Sequence, residues 1–167
     1  PRFEMLETIR EYAREQLATS RDEADTLRAH ARTFTELIRR AERELLGPDQ
    51  AAWLDRLETE LDNVRAAHHW AAETGDIATA LRMAGASWRF WHQRAHLAEG
   101  RALLESLLVR PDAAARTIAR AVALTGLGGV LYWQGDFDRA RATYREALAT
   151  YRDLDDRAGL ADAIYNL

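Results

Sequence analysis

Residues 121–154 read AVALTGLGGVLYWQGDFDRARATYREALATYRDL. Leu124, Leu127 and Leu131 recur every three or four places, and so do Phe137, Ala140, Tyr144, Ala147, Leu148 and Tyr151. That spacing lays apolar side chains along one face of a helix. Gly135-Asp136 lies between the two runs as a tight turn, so the stretch predicts a helical hairpin. The same pattern starts at Leu81, at Ala121 and at Ala161, a stride of 40 residues. Ala84, Leu124 and Ile164 share one place, and Ser87, Leu127 and Leu167 another. Ala95-His96 matches Gly135-Asp136, and Leu97, Gly100, Leu104, Leu107 and Leu108 match Phe137, Ala140, Tyr144, Ala147 and Leu148. A hairpin cannot bury its apolar face alone and must stack on neighbours. The expected fold is therefore all-α, a right-handed superhelix of antiparallel hairpins.

Working outward, the second helix is expected over about 26–46, capped by Asp25 or Thr26, and the third over about 50–73, opened by Asp49. The third carries the stripe Trp53, Leu57, Leu61, Val64, His68, Ala71. Helices over about 77–93, 97–109, 113–133 and 137–153 follow, and Asp155-Asp156 caps one more. The hairpins are then about 26–73, 77–109, 113–153 and 157–167. Residues 2–5 alternate polar and apolar like a short strand, and a first helix begins near Leu6. The chain opens at Pro1 and stops inside a repeat, so it reads as a piece of a longer protein.

Composition narrows the function classes. Hydrophobic residues make up 47% and charged residues 30%, a helix-forming mixture with few Gly and three Pro. Without a long apolar run no membrane helix is expected, and without Cys there is no disulfide or thiolate metal site. A cytoplasmic home follows as the expectation. All basic residues are Arg, which fits a GC-rich genome better than phosphate recognition, because the net charge is −4. No direct nucleic-acid contact is expected of this chain.

Residues 121–154 resemble a tetratricopeptide repeat, through Leu124, Leu127-Gly128, Leu131, Gly135, Phe137, Ala140, Tyr144 and Ala147-Leu148. The 81–110 unit diverges, with Trp88 where Gly128 stands. Across most of its length the chain is also similar to a narrower family, the STAND-class bacterial transcriptional regulators of the antibiotic-regulatory and MalT-like kind. The similarity lies in RFEMLETIREYAREQL (2–17), GPDQAAWLDRLETELDNVRAAHHWA (47–71) and WRFWHQRAHLAEGRALLESLL (88–108). The resemblance implies that 1–22 is the end of a winged-helix region plus a linker helix, and that 23–167 is a tetratricopeptide-like domain. It implies a sensing and protein-interaction module of a multidomain ATPase-type regulator. The alternatives are a free-standing scaffold for protein assembly and an enzyme of unknown type.

Motifs for chemistry are missing. The chain has no Gly-rich phosphate loop ending in Lys, no His-Glu-x-x-His and no nucleophile elbow. Glu58 with Asp62, and Asp136 with Asp138, read as solvated faces or caps, and His68 as a hydrogen-bonded core residue. No catalytic residue, cofactor or metal is expected. The residue places that face inward in this kind of repeat are Arg82, Gly85, Arg89, His92 and Gln93, then Val122, Thr125, Gly129, Tyr132 and Trp133, then Asp162 and Tyr165. From these, Arg82, Arg89, His92, Gln93, Thr125, Tyr132, Trp133 and Tyr165 form the expected groove. It would hold a flat or anionic small-molecule effector, a protein or peptide, or the chain's own ATPase domain. Self-association through the last repeat is a further expectation.

Overall fold

The computed structural model describes residues 6–165. The strand expected at residues 2–5, and the repeat place at Leu167, lie outside them. Among the described residues ten α-helices follow one another: α1 (Glu7–Ala18), α2 (Glu23–Glu44), α3 (Gln50–Thr59), α4 (Leu61–Glu73), α5 (Ile77–Ala86), α6 (Trp88–Gln93), α7 (Leu97–Leu108), α8 (Ile118–Trp133), α9 (Phe137–Asp153) and α10 (Arg157–Tyr165). A 3-10 turn, Pro111–Ala113, precedes α8. Among the described residues there is no strand, and the all-α hairpin array is the architecture observed.

The helices pack within the expected hairpins and also between them, α4 on α5 and α7 on α8. Helix α2 packs on α3 and α4, α5 and α6 on α7, and α8 on α9. The first members of these pairs, α2, α5 and α8, also pack on one another in order. Burial repeats with the sequence. Leu104 and Leu107 are buried as their counterparts Tyr144 and Ala147 are. The stripe of the third expected helix is buried at Leu57, Leu61, Val64, His68 and Ala71.

Turns recur as well. Ala95, Gly135 and Asp155 all take the left-handed conformation, with φ of 61°, 82° and 53°. After each, the next N–H donates five residues back: His96 to Trp91 at 2.8 Å, Asp136 to Leu131 at 3.0 Å and Asp156 to Tyr151 at 3.0 Å. This is the Schellman ending, which satisfies carbonyls at a helix C-terminus before the chain reverses. Asp156 then caps α10 by accepting from the Gly159 N–H at 3.0 Å.

Four boundaries differ from expectation. The helix expected over 50–73 breaks at Glu60, and that over 77–93 breaks at Ser87. Both breaks keep the three-to-four phase, so the apolar stripe runs on across them. The helix expected from 113 starts at Ile118, where the Thr117 side chain accepts from the Arg120 N–H. The second helix starts at Glu23 after Asp22, ahead of Asp25 and Thr26.

The helix spacing is unequal across the array. On the inner side α5 and α8 meet backbone to backbone. A Cβ on Gly85 would lie 2.5 Å from the Val122 carbonyl oxygen, and one on Gly126 would lie 2.8 Å from that of Gly85. On the outer side α4 and α7 stand apart and enclose a cleft. Polar bridges span the outer helices: Arg65 donates to both Glu99 oxygens at 2.7 Å, Arg94 pairs with Asp55, and His96 faces Glu58 at 3.3 Å. Arg139 and Glu105 repeat the motif one hairpin on, at 2.7 Å.

Candidate functional site

Two adjoining cavities of about 520 and 320 Å³ run along the inner helices and share Leu46 and Arg89. Of the predicted groove residues, Arg82, Arg89, Tyr132, Trp133 and Tyr165 line them. Val122, Gly129 and Asp162 line them too. Each hairpin contributes the same side, because residues at matching places of helices α5, α8 and α10 point the same way.

Arg89 is the central polar group. Its side chain is only 17% exposed, lies 4.5 Å over the Trp88 ring and reaches Asp162 at 3.6 Å. Arg82 pairs with Glu42 at 3.5 Å. Trp133 stacks on His92 with ring centroids 3.9 Å apart, and Tyr132 meets Trp133 and Phe137 edge-on. Burial lowers the pKa of His92, so the imidazole against Trp133 is neutral near pH 7. Tyr144 forms part of the floor, and burial with the Asp162 charge nearby pushes its hydroxyl up to about 12. The site can therefore offer flat aromatic faces and one half-sheltered guanidinium beside a carboxylate.

Three expected members sit elsewhere. Thr125 is buried beneath the floor, donating to the Ala121 carbonyl at 3.0 Å and lying 3.4 Å from the Tyr151 hydroxyl. Gln93 is exposed and lines neither cavity. His92 stands behind Trp133 and outside the lining. Gly85 and Gly129 open no room for a ligand, since Val122 fills the one space and the Trp88 ring the other. Trp88 thus reaches across to the next hairpin, and both it and Trp91 are buried. Sequence reasoning missed Leu46, Glu42 and Arg43, because the end of α2 reaches the groove only through tertiary packing.

The carboxylate pairs face basic side chains. Glu58 meets His96, Asp62 meets Arg65, and Asp136 meets Arg101 and Arg139. His68 departs from its reading as a hydrogen-bonded residue. It is 4% exposed, and neither ring nitrogen has a hydrogen-bond partner. No group of three or more metal-ligating side chains converges among the described residues. No helix of the described residues is long and apolar enough to cross a membrane.

Successive helical hairpins thus form an array with an aromatic inner groove. The chain is 35% identical, over 98% of its length, to a Mycobacterium bovis protein named "Putative HTH-type transcriptional regulator". The same identity and coverage hold for proteins with that description from two strains of Mycobacterium tuberculosis. The chain spans 19% of the length of these relatives. No family model matches the chain, and no solved structure does.

Proposed function

We propose that the chain is a regulatory module of a larger transcriptional regulator, without catalytic chemistry of its own, and that it binds an effector or protein partner on its inner face. The observation that carries this reading is the groove built by successive hairpins around Arg89, Trp88, Tyr132, Trp133 and Tyr165. A ligand seated there touches α5, α6, α8 and α10 at once. Its affinity depends on how the hairpins are stacked, and it therefore biases one stacking over another. The similarity to named transcriptional regulators supports the setting.

In the finer reading the hairpins are tetratricopeptide-type repeats. The parent protein couples them to a STAND-class ATPase domain and a helix-turn-helix DNA-binding region, in the bacterial cytoplasm. Signal transduction then runs from the groove to the ATPase, which is the first candidate partner. The net charge of −4 favours a protein or small-molecule partner over DNA for this chain.

The test uses the full-length regulator driving a reporter gene. Trp133→Ala and Arg89→Ala each remove a groove side chain while leaving the inner-helix contacts of Gly85 and Gly126 intact. Each is expected to change reporter output by roughly fivefold or more at unchanged protein level, the equivalent of about 1 kcal/mol. Wild-type output from both variants would remove the groove from the regulatory reading.

A further inference from the structure

We propose that the outer cleft between α4 and α7 is a second binding site, for an uncharged, largely apolar small molecule carrying a hydroxyl group, with His68 as its hydrogen-bond partner. The cleft holds about 580 Å³, within the range of small-molecule pockets. Its floor is Val64, Trp91, Leu103 and Leu107. The site is separate from the inner groove and stands whether or not that groove senses anything.

The ligand's charge follows from the ends of the cleft. At one end Arg65 is held by both oxygens of Glu99. At the other, Arg110 donates to the Ala72 carbonyl at 3.2 Å and to Asp112 at 2.9 and 3.0 Å. Three of the five N–H donors of each guanidinium are engaged in this way, and a carboxylate already offsets its charge. An ion placed on this floor would lose its water for Leu, Val and Trp side chains.

The ligand's polar group follows from His68. The imidazole forms part of the cleft wall, is 96% buried by its 4% exposure, and has both nitrogens unpartnered and shielded from solvent. Burial holds it neutral, so it offers one N–H donor and one bare nitrogen. A hydroxyl both donates and accepts, and so matches either tautomer. A small turn of the ring brings one nitrogen to the ligand, since imidazole torsions are soft. The cleft lies where the first hairpin meets the second, so an occupant tightens that junction.

The probes are three molecules of one shape: 1-naphthol, naphthalene and 1-naphthoate. Binding to the 167-residue chain is measured by calorimetry, and the Trp91 indole N–H resonance reports the place. 1-Naphthol is expected to bind, to shift the Trp91 signal, and to bind roughly tenfold more tightly than 1-naphthoate. His68→Leu keeps the volume and removes the partner, so 1-naphthol weakens roughly tenfold while naphthalene changes less than about twofold. Ala102→Trp, at an exposed position on the rim, blocks the mouth and abolishes both without disturbing the core. Trp133→Ala, in the inner groove, changes neither. Equal binding of 1-naphthoate, survival of binding in Ala102→Trp, indifference of 1-naphthol to His68→Leu, or no binding up to about 1 mM would each overturn the assignment.

Discussion

His68 contributes a distinct step to the acid response of the chain. Burial pushes its pKa from 6.5 down to about 4, opposed only in part by the Glu99 carboxylate, itself held by Arg65. The unfolded chain therefore binds a proton on this residue at a higher pH than the folded one does. The stability that the neutral ring allows is complete above pH 6.5 and falls away as pH drops toward 4. The loss amounts to about 3 kcal/mol across that window. Urea unfolding at a series of pH values should show this slope, and His68→Leu should flatten it. His92, also lowered by burial, leaves a smaller slope in the same direction. Glu99, whose carboxyl Arg65 holds low, begins to lose its contribution as pH falls through 4.5, so it adds to the slope at the acid end of the window. At neutral pH the Leu variant should be as stable as the wild type or more so, because an unpartnered polar ring leaves the core. A variant that kept the full slope would show that another group carries it.

At the scale of elements, the α5–α8 crossing holds the inner side together. Gly126→Ala would normally favour a helix by about 1 kcal/mol. Here the new methyl meets the Gly85 backbone at 2.8 Å, and a backbone cannot swing aside as a side chain can. The clash should win, destabilising the chain by about 1–3 kcal/mol in a denaturant melt. A neutral or stabilised variant would mean that the two helices slide freely. Much of this element scale was legible in the sequence. The three-to-four spacing in 121–154 gave α8, the turn and α9, and the 40-residue stride gave the matching buried places Leu104 and Tyr144, Leu107 and Ala147. The breaks at Glu60 and Ser87 were not legible, because the helical path carries on through each: their N–H groups still donate four residues back, to Arg56 and Met83. The inner groove was largely legible, since residues at matching places of successive helices face the same way. Thr125 was misplaced because its hydroxyl turns back to the Ala121 carbonyl and its side chain is covered by Tyr151. The outer cleft was hidden, because the distance between α4 and α7 depends on packing at the opposite side of the array.

At the scale of the molecule, cohesion runs from α2 onward and leaves α1 aside. Leu6, Ile9 and Tyr12 are 72%, 51% and 62% exposed and Leu17 is half-buried, so α1 places no residue in the described buried core. The buried set begins at Ala31 and continues without interruption from hairpin to hairpin through Tyr144. In a stacked array each unit draws stability from its neighbours, and an element that touches none adds none. Removing residues 1–22 should therefore change the free energy of unfolding by less than about 0.5 kcal/mol. The denaturant m-value should hardly change either, since m follows the surface exposed on unfolding and α1 is exposed already. The linker reading of α1 makes the same demand, because a linker helix serves what lies beyond it and not the hairpins behind. Circular dichroism and urea titration of the shortened chain beside the full one decide the matter. A loss of several kcal/mol with a smaller m-value would mean that α1 folds back onto the array in solution, and its apolar stripe would then belong to the first hairpin.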